Sequence, residues 1–477
     1  MFIFYDFETS SADFLGQILT YSFIVTNNNY EIQDELSGKI KLNRTQLPEI
    51  DAILTNRIHI GDLQENGETE YISAHKIADF INKWASKTKK TNLTGYNSNK
   101  FDLTFLRNTL IKYGINPYFK NVVNLDIFHY IQYLAFQNPD TFKWTLKQNT
   151  EKPYYSFTLE DMARAYNVLN TKQSHDARED VLLCINLVKT LEQEYQVALA
   201  QFKPFQLPSG IHSLPEFSSA KERTRDFPDN EKLLKKFTYN YWLTILSNDK
   251  TLVVLDLKKY AHINQSSNAE NYSELILSCL RYINPNKQFF ILETLNKEET
   301  AYWSDLIDNA KADILLSALT PAHYFHLIKK DWDIEYQIHE MGFYRIDQLK
   351  PLADKLIANP ETYPQTLTAL LDQRNKQTKK EDSIKDNYLI QLYNRIYLNY
   401  HPAPKKDHLN KYIEPRYLTG KLLKNPDKFT SLEDNMKRLN TLIKSKDCSE
   451  NDKALLKDLA NYYQDFYNTF ISQNVLV

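Results

Sequence analysis

Cysteine is scarce in this chain. Cys184, Cys279 and Cys448 are the three among 477 residues, far apart and odd in number. That pattern excludes a disulfide framework and the paired spacing of a zinc site, and it fits a reducing compartment. Glycine is sparse as well, nine in all, which argues against glycine-rich loops that cradle phosphate. No stretch reaches the uninterrupted apolar length of a membrane span. The first residues show no basic segment followed by an apolar core and cleavage site. A cytoplasmic protein without membrane contact is expected. An excess of either charge is also missing: 58 Lys and Arg against 60 Asp and Glu leave a formal net charge of −2. A polyanionic partner would have to be met by local patches.

What the chain has in quantity is aromatic residues, 32 Tyr and 25 Phe. Most belong in a core, and the rest could serve as flat stacking platforms. The length calls for two or three domains. Ile18–Val25 reads as a strand, followed by a turn at Asn27–Asn29. Ile77, Phe80, Ile81 and Trp84 recur at the spacing of one helix face. Leu93–Asn97 is a short strand, Leu125–Leu134 is ambiguous, and Thr158 caps a helix from Leu159. Val181, Ile185, Val188 and Leu191 mark a long helix. Strands followed by alternating helices and strands give an α/β domain over 1–198. Pro204, Pro208, Gly210 and Pro215 lie in the connection to a smaller, β-containing domain over 199–374. A helical domain fills 375–477. Asp372–Asn387 is polar throughout and reads as a linker or exposed loop. Lys405, Lys406, Lys411, Arg416, Lys421 and Lys424 interleave with Tyr412 and Tyr417. That is the composition of a surface that tracks a phosphate backbone, or of a solvated charged face.

The chemistry concentrates in the first domain. Phe2–Thr9 alternates bulky residues and ends in Asp6 and Glu8. On a strand, side chains at i and i+2 share a face, so the two carboxylates stand together. Adjacent like charges need a cation, and hard oxygen ligands suit Mg²⁺ or Mn²⁺. Asp102 follows Asn97-Ser98-Asn99-Lys100-Phe101 at a loop-to-helix junction. His175 precedes a helix that carries Asp180 in its first turn. Taken singly, these residues are a strand end, a helix cap, a dipole partner and a loop histidine. Together, as D-x-E, D and H-x-A-x-x-D, they supply what phosphodiester hydrolysis with two divalent cations about 4 Å apart requires. The acids are the ligands, and a histidine is the usual base near neutral pH. Asp176 and Glu179 are expected to face solvent. Asn97 and Asn99 are expected to order the Asp102 loop. Arg107 is placed to reach a phosphate or to form a surface salt bridge, and Tyr118 to stack a base or join the core.

These five positions resemble the histidine subgroup of the DEDD 3′→5′ exonucleases, which share a ribonuclease H-like fold. Over its whole length the chain resembles bacterial exonuclease I. The likeness includes Gly95-Tyr96-Asn97 before Phe101-Asp102 and His175-Asp176-Ala177 before Asp180. It extends to Val254-Leu255-Asp256-Leu257 and Gln391-Leu392-Tyr393-Asn394. The resemblance implies an SH3-like middle domain, a helical last domain, and closure of both over one DNA strand. It implies two Mg²⁺ ions, replaceable by Mn²⁺, on Asp6, Glu8 and Asp180, with Asp102 assisting and His175 as general base. It places Glu8, Asn97, Arg107, Tyr118 and Thr158 at the substrate. Thr158 departs from the family, whose best-known member carries an arginine there. The segment after Thr9 lacks the family's Arg-Pro pair but keeps Gln17. The implied activity is release of 5′-mononucleotides from the 3′ end of single-stranded DNA by a monomer. Single-strand DNA-binding protein is the implied protein partner. The alternatives are an RNA-trimming or proofreading nuclease, a silent single-strand-binding protein, and a structural partner in a larger complex. Length speaks against the first of these, and the complete acid and histidine set against the second.

Overall fold

The computed structural model describes residues 1–148, 153–169, 176–202, 217–223, 236–247, 252–264, 272–283, 290–293, 297–313, 316, 333–341, 345–421, 423 and 430–470. The proline-bearing connection at 203–215 lies outside them. The chain divides into two units. One comprises Met1–Leu125, Gln173–Ile185 and Lys330–Val477, and the other Asp126–Lys172 and Asn186–Lys329.

The first unit opens with strands β1 (Phe2–Thr9), β2 (Ile18–Thr26) and β3 (Ile32–Lys39). Helices α1 (Ile50–Asn56), α2 (Ile60–Asn66) and α3 (Glu70–Ala85) follow, then β4 (Thr91–Gly95), α4 (Asp102–Lys112) and β5 (Val122–Asp126). The strands lie in the order β3-β2-β1-β4-β5. β1 is central, antiparallel to β2 and parallel to β4. Its alternation sorts two faces. Ile3, Tyr5 and Phe7 enter the main core with Phe23, Ile77, Ile81 and Leu93. Phe2 and Phe4 face the other way, against Tyr30. Asp6 and Glu8 continue that second row. α3 buries Ile77, Phe80, Ile81 and Trp84, as their spacing predicts, and Thr69 caps it.

The second unit holds α5 (Ile127–Gln137), the paired strands β6 (Thr145–Lys147) and β7 (Tyr154–Ser156), and α6 (Leu159–Ala165). α7 (Ala177–Tyr195) starts in the first unit and ends in the second. Next come β8 (Phe217–Arg223), β9 (Phe237–Ser247), β10 (Leu252–Asp256), α8 (Leu257–Asn264), α9 (Tyr272–Cys279), β11 (Leu280–Ile283), β12 (Ile291–Glu293) and α10 (Lys297–Ala312). The strands form one sheet ordered β11-β10-β9-β8-β12. Leu243, Leu255, Tyr260 and Trp303 form a core on one side. Trp242, Val254 and Phe290 form another.

The chain then returns to the first unit with α11 (Ile334–Met341), α12 (Ile346–Ala358), α13 (Tyr363–Asn375), α14 (Lys380–Tyr400) and α15 (Lys406–Ile413). A π-helical turn at Glu414–Leu418, α16 (Leu432–Lys444) and α17 (Glu450–Phe470) complete it. Tyr393, Tyr397, Leu459 and Phe466 share one core with Ile3, Tyr5 and Phe23 of the sheet. Two expectations are overturned here. Asp372–Asn387 is not a loop: α13 runs to Asn375 and α14 starts at Lys380. Its polarity hides a buried carboxylate, Asp386, bonded to Gln373 and Gln377 and paired with Arg345. Nor is the basic, tyrosine-bearing stretch a solvated surface throughout. Arg416 and Tyr412 are buried, and the guanidinium lies over the rings of Tyr412 and Tyr417. Lys411 and Lys421 are exposed; Lys424 lies outside the described residues. No helix among the described residues is long and apolar enough to cross a membrane.

Candidate active site

The acids are brought together by the end of β1 and the start of α7. Ladder pairing of β1 with β4 runs from Phe2↔Asn92 to Phe4↔Thr94 and stops there. Asp6 and Glu8 extend past it, held on the other edge by Ser22 and Thr20 of β2. A register shift between Glu8 and Thr9 bends the strand at this point, a feature common beside functional sites. At the end of β4, Gly95 passes so close to β1 that a Cβ there would lie 2.7 Å from the Tyr5 carbonyl oxygen. The chain then turns through Asn97, whose φ is 55°, and its carbonyl accepts from Lys100 and Phe101 N–H. Ser98 carbonyl accepts from Leu103 N–H at 2.8 Å. This places Asp102, 3 % exposed, as the first residue of α4 rather than as its cap. Asp180 lies in the first turn of α7 and is 5 % exposed.

One carboxylate oxygen each from Asp6, Glu8 and Asp180 lie within 4.8 Å of one another. Burial pushes the Asp6 carboxyl well above the usual carboxylate range, and Asp102, Glu8, Asp180 and Asp176 push it further. Burial, then Asp180, Asp102 and Asp176, raise Glu8 to about 8. Hard oxygen donors that repel one another in a recess fit a divalent cation, which would return them all to the ionised form. Asp176, expected to face solvent, is exposed as expected. It also accepts from the N–H groups of Arg178 and Glu179 at 3.0 and 3.1 Å, which orders the start of α7. Its effect on both strand acids was not visible in the sequence. The signal for it is an Asp immediately before a helix. His175 lies outside the described residues.

No protein-family model and no curated protein matches the sequence. Solved structures do match. Exonuclease I from Methylocaldum szegediense is 18% identical with a TM-score of 0.65, covering 98% of this chain and 99% of its own. E. coli exonuclease I in complex with a dT13 oligonucleotide is 16% identical with a TM-score of 0.65 and the same coverage. An ExoI/SSB-Ct complex is 16% identical with a TM-score of 0.66, again with 98% and 99% covered. The chain has the exonuclease I fold. The α/β sheet, the second β-containing region and the helical end expected from the sequence are therefore all present.

On this exonuclease I fold the other candidate residues occupy different settings. Arg107 and Tyr118 come together, the guanidinium 5.0 Å from the ring centre. Tyr118 is 57% exposed, so its ring belongs to the surface and not to the core. Asn97 forms the turn before Asp102, and Asn99 is buried in the same loop. Thr158 caps α6 as its position predicts. Its hydroxyl accepts from Asp161 N–H and donates to Asp161 Oδ2 at 2.8 Å. Lys147 donates to the other oxygen of that carboxylate at 2.6 Å.

Proposed function

We propose that this protein is a 3′→5′ exodeoxyribonuclease that releases 5′-mononucleotides from single-stranded DNA. The observation that carries the reading is the convergence of Asp6, Glu8 and Asp180 on one point of a chain with the exonuclease I fold. Asp6, Glu8 and Asp180 are the proposed ligands of Mg²⁺ or Mn²⁺, with Asp102 beside them. When bound, two such ions neutralise the scissile phosphate and make its attacking water more acidic. His175 accepts the proton of that water, which suits a side chain that titrates near neutrality. Asn97 and Gly95 hold the loop that sets Asp102. Arg107 meets a backbone phosphate, and the exposed Tyr118 ring stacks a base. Thr158, whose hydroxyl hydrogen is taken by Asp161, supplies no cation to the strand. The matched dT13 complex supports single-stranded DNA as the substrate, and the matched SSB-Ct complex supports single-strand DNA-binding protein as a partner.

The test is to incubate end-labelled single-stranded DNA, duplex DNA and RNA with the protein and Mg²⁺ and to size the products. Shortening of single-stranded DNA from its 3′ end to mononucleotides, abolished by EDTA, is expected. Equal or faster loss of RNA, or no shortening at all, would overturn the reading.

A further inference from the structure

We infer that Arg416 is a positioning residue that fixes the Ser10–Gln17 turn and, through it, the Glu8 carboxylate. The inference rests on the nuclease reading for its consequence but on packing for its geometry. The turn joins β1 to β2 directly after the two strand acids. It closes on itself: Ser10 N–H donates to Gln17 O at 2.9 Å, and Gln17 N–H to Ser10 Oγ at 2.8 Å. Gly16 sits so tightly inside that a Cβ there would lie 2.7 Å from Ser11 Cβ.

Three consecutive residues of the turn are each gripped from a different part of the chain. The Tyr336 hydroxyl donates to Asp13 Oδ2 at 2.5 Å, and its ring meets Phe14 edge-on at 5.1 Å. Asn108, on the helix that begins with Asp102, donates to Phe14 O at 2.9 Å and to Glu335 Oε2 at 2.7 Å. Arg416 donates to Leu15 O and to Gln46 Oε1, and the Gln46 amide donates to the same carbonyl at 3.2 Å.

Arg416 is 6 % exposed. A cation buried to this depth is weak as a source of stability, because its desolvation offsets what its partners return. Its effect here is geometric. A planar guanidinium fixes a carbonyl in direction as well as distance. The π-helical turn at Glu414–Leu418 carries it inward between Tyr412 and Tyr417. The strand needs such a hold. Past Phe4 its ladder to β4 has ended, and the register slips after Glu8. Beyond that point β2 and the turn fix the strand, so a loosened turn lets the Glu8 carboxylate wander. A displacement of about 1 Å at a reacting site costs on the order of 10²-fold in rate.

The test uses the full chain carrying Arg416→Met, which removes the charge and keeps the bulk. Melting temperature, hydrogen exchange over residues 9–19, and kcat and KM on a single-stranded oligonucleotide are compared with wild type. The expected result is a melting temperature within a few degrees, exchange in the turn at least about tenfold faster, kcat lower by about 10–10²-fold, and an unchanged KM. Tyr336→Phe, which removes one hydroxyl, should move exchange and kcat in the same direction by less. It carries the test if Arg416→Met does not fold. Unchanged exchange would overturn the inference. So would an unchanged kcat with a raised KM, which would make Arg416 a DNA contact. If the wild type cleaves no DNA, the proposed function falls, and exchange in the two variants alone decides whether Arg416 holds the turn.

Discussion

Glu8 shows most directly what the acid cluster does to its members. Its carboxyl normally titrates near 4.5, and in the folded chain burial followed by Asp180, Asp102 and Asp176 raises it to about 8. Between these values the folded chain keeps a proton that the unfolded chain has released. Folding stability therefore falls as pH rises through that window. A bound cation removes the repulsion. The melting temperature of metal-free protein should drop from pH 5 to pH 8, and the rise given by Mg²⁺ should be larger at pH 8. Glu8→Gln should flatten the first trend. An Mg²⁺ effect of equal size at both pH values would mean the acids do not hold the ion. Asp6→Ala or Asp180→Ala should abolish hydrolysis and leave single-strand binding in EDTA largely intact, as read by filter binding. His175→Ala should slow single-turnover cleavage by about 10²–10⁴-fold without altering the Mg²⁺ requirement, the usual effect of losing a general base. The acid triad was legible because its signals are local: i and i+2 on a strand, and a carboxylate in a helix's first turn. The role of Arg416 was not, because its partner Leu15 is 401 residues away. In sequence it has the composition of a DNA-binding surface.

At the scale of elements, the close approach of the end of β4 to its parallel neighbour β1 decides where Asp102 goes. A methyl group at residue 95 would meet the Tyr5 carbonyl at 2.7 Å and Ser98 Cβ at 2.9 Å. Backbone must move to admit it. Gly95→Ala should destabilise the fold by about 1–3 kcal/mol, typical of overpacking, and lower kcat by displacing the Asp102 loop. Chemical denaturation and steady-state kinetics on the same preparation would check both, and an unchanged kcat in a folded variant would separate the loop from the chemistry. The elements themselves followed their periodicity closely, as α3 and the cap of α6 show. The failure was α13 and α14. Their polar faces dominate the composition of 372–387, while the residues they bury are too few to register as a helical stripe.

Across the whole molecule, the first sheet and the helices from Ile334 onward bury one common core. Helical periodicity announced that these helices hide a face but not what covers it. The consequence is that the sheet has no complete core without them. A chain cut at Leu371 should be insoluble or lack a cooperative unfolding transition. A soluble, cooperatively melting fragment with activity on a trinucleotide would show the sheet to be self-sufficient.

That shared core also sets a clock during synthesis. The Leu15 carbonyl leaves the ribosome long before Arg416, with 401 residues between them. At about 5–20 residues per second, this delay is on the order of 20–80 seconds. Through that interval the strand bearing Asp6 and Glu8 is already made, but the guanidinium that holds its turn is not, and the helices that cover its other face begin only at Ile334. A nascent chain thus cannot hold these two carboxylates in place until nearly all of it has been translated.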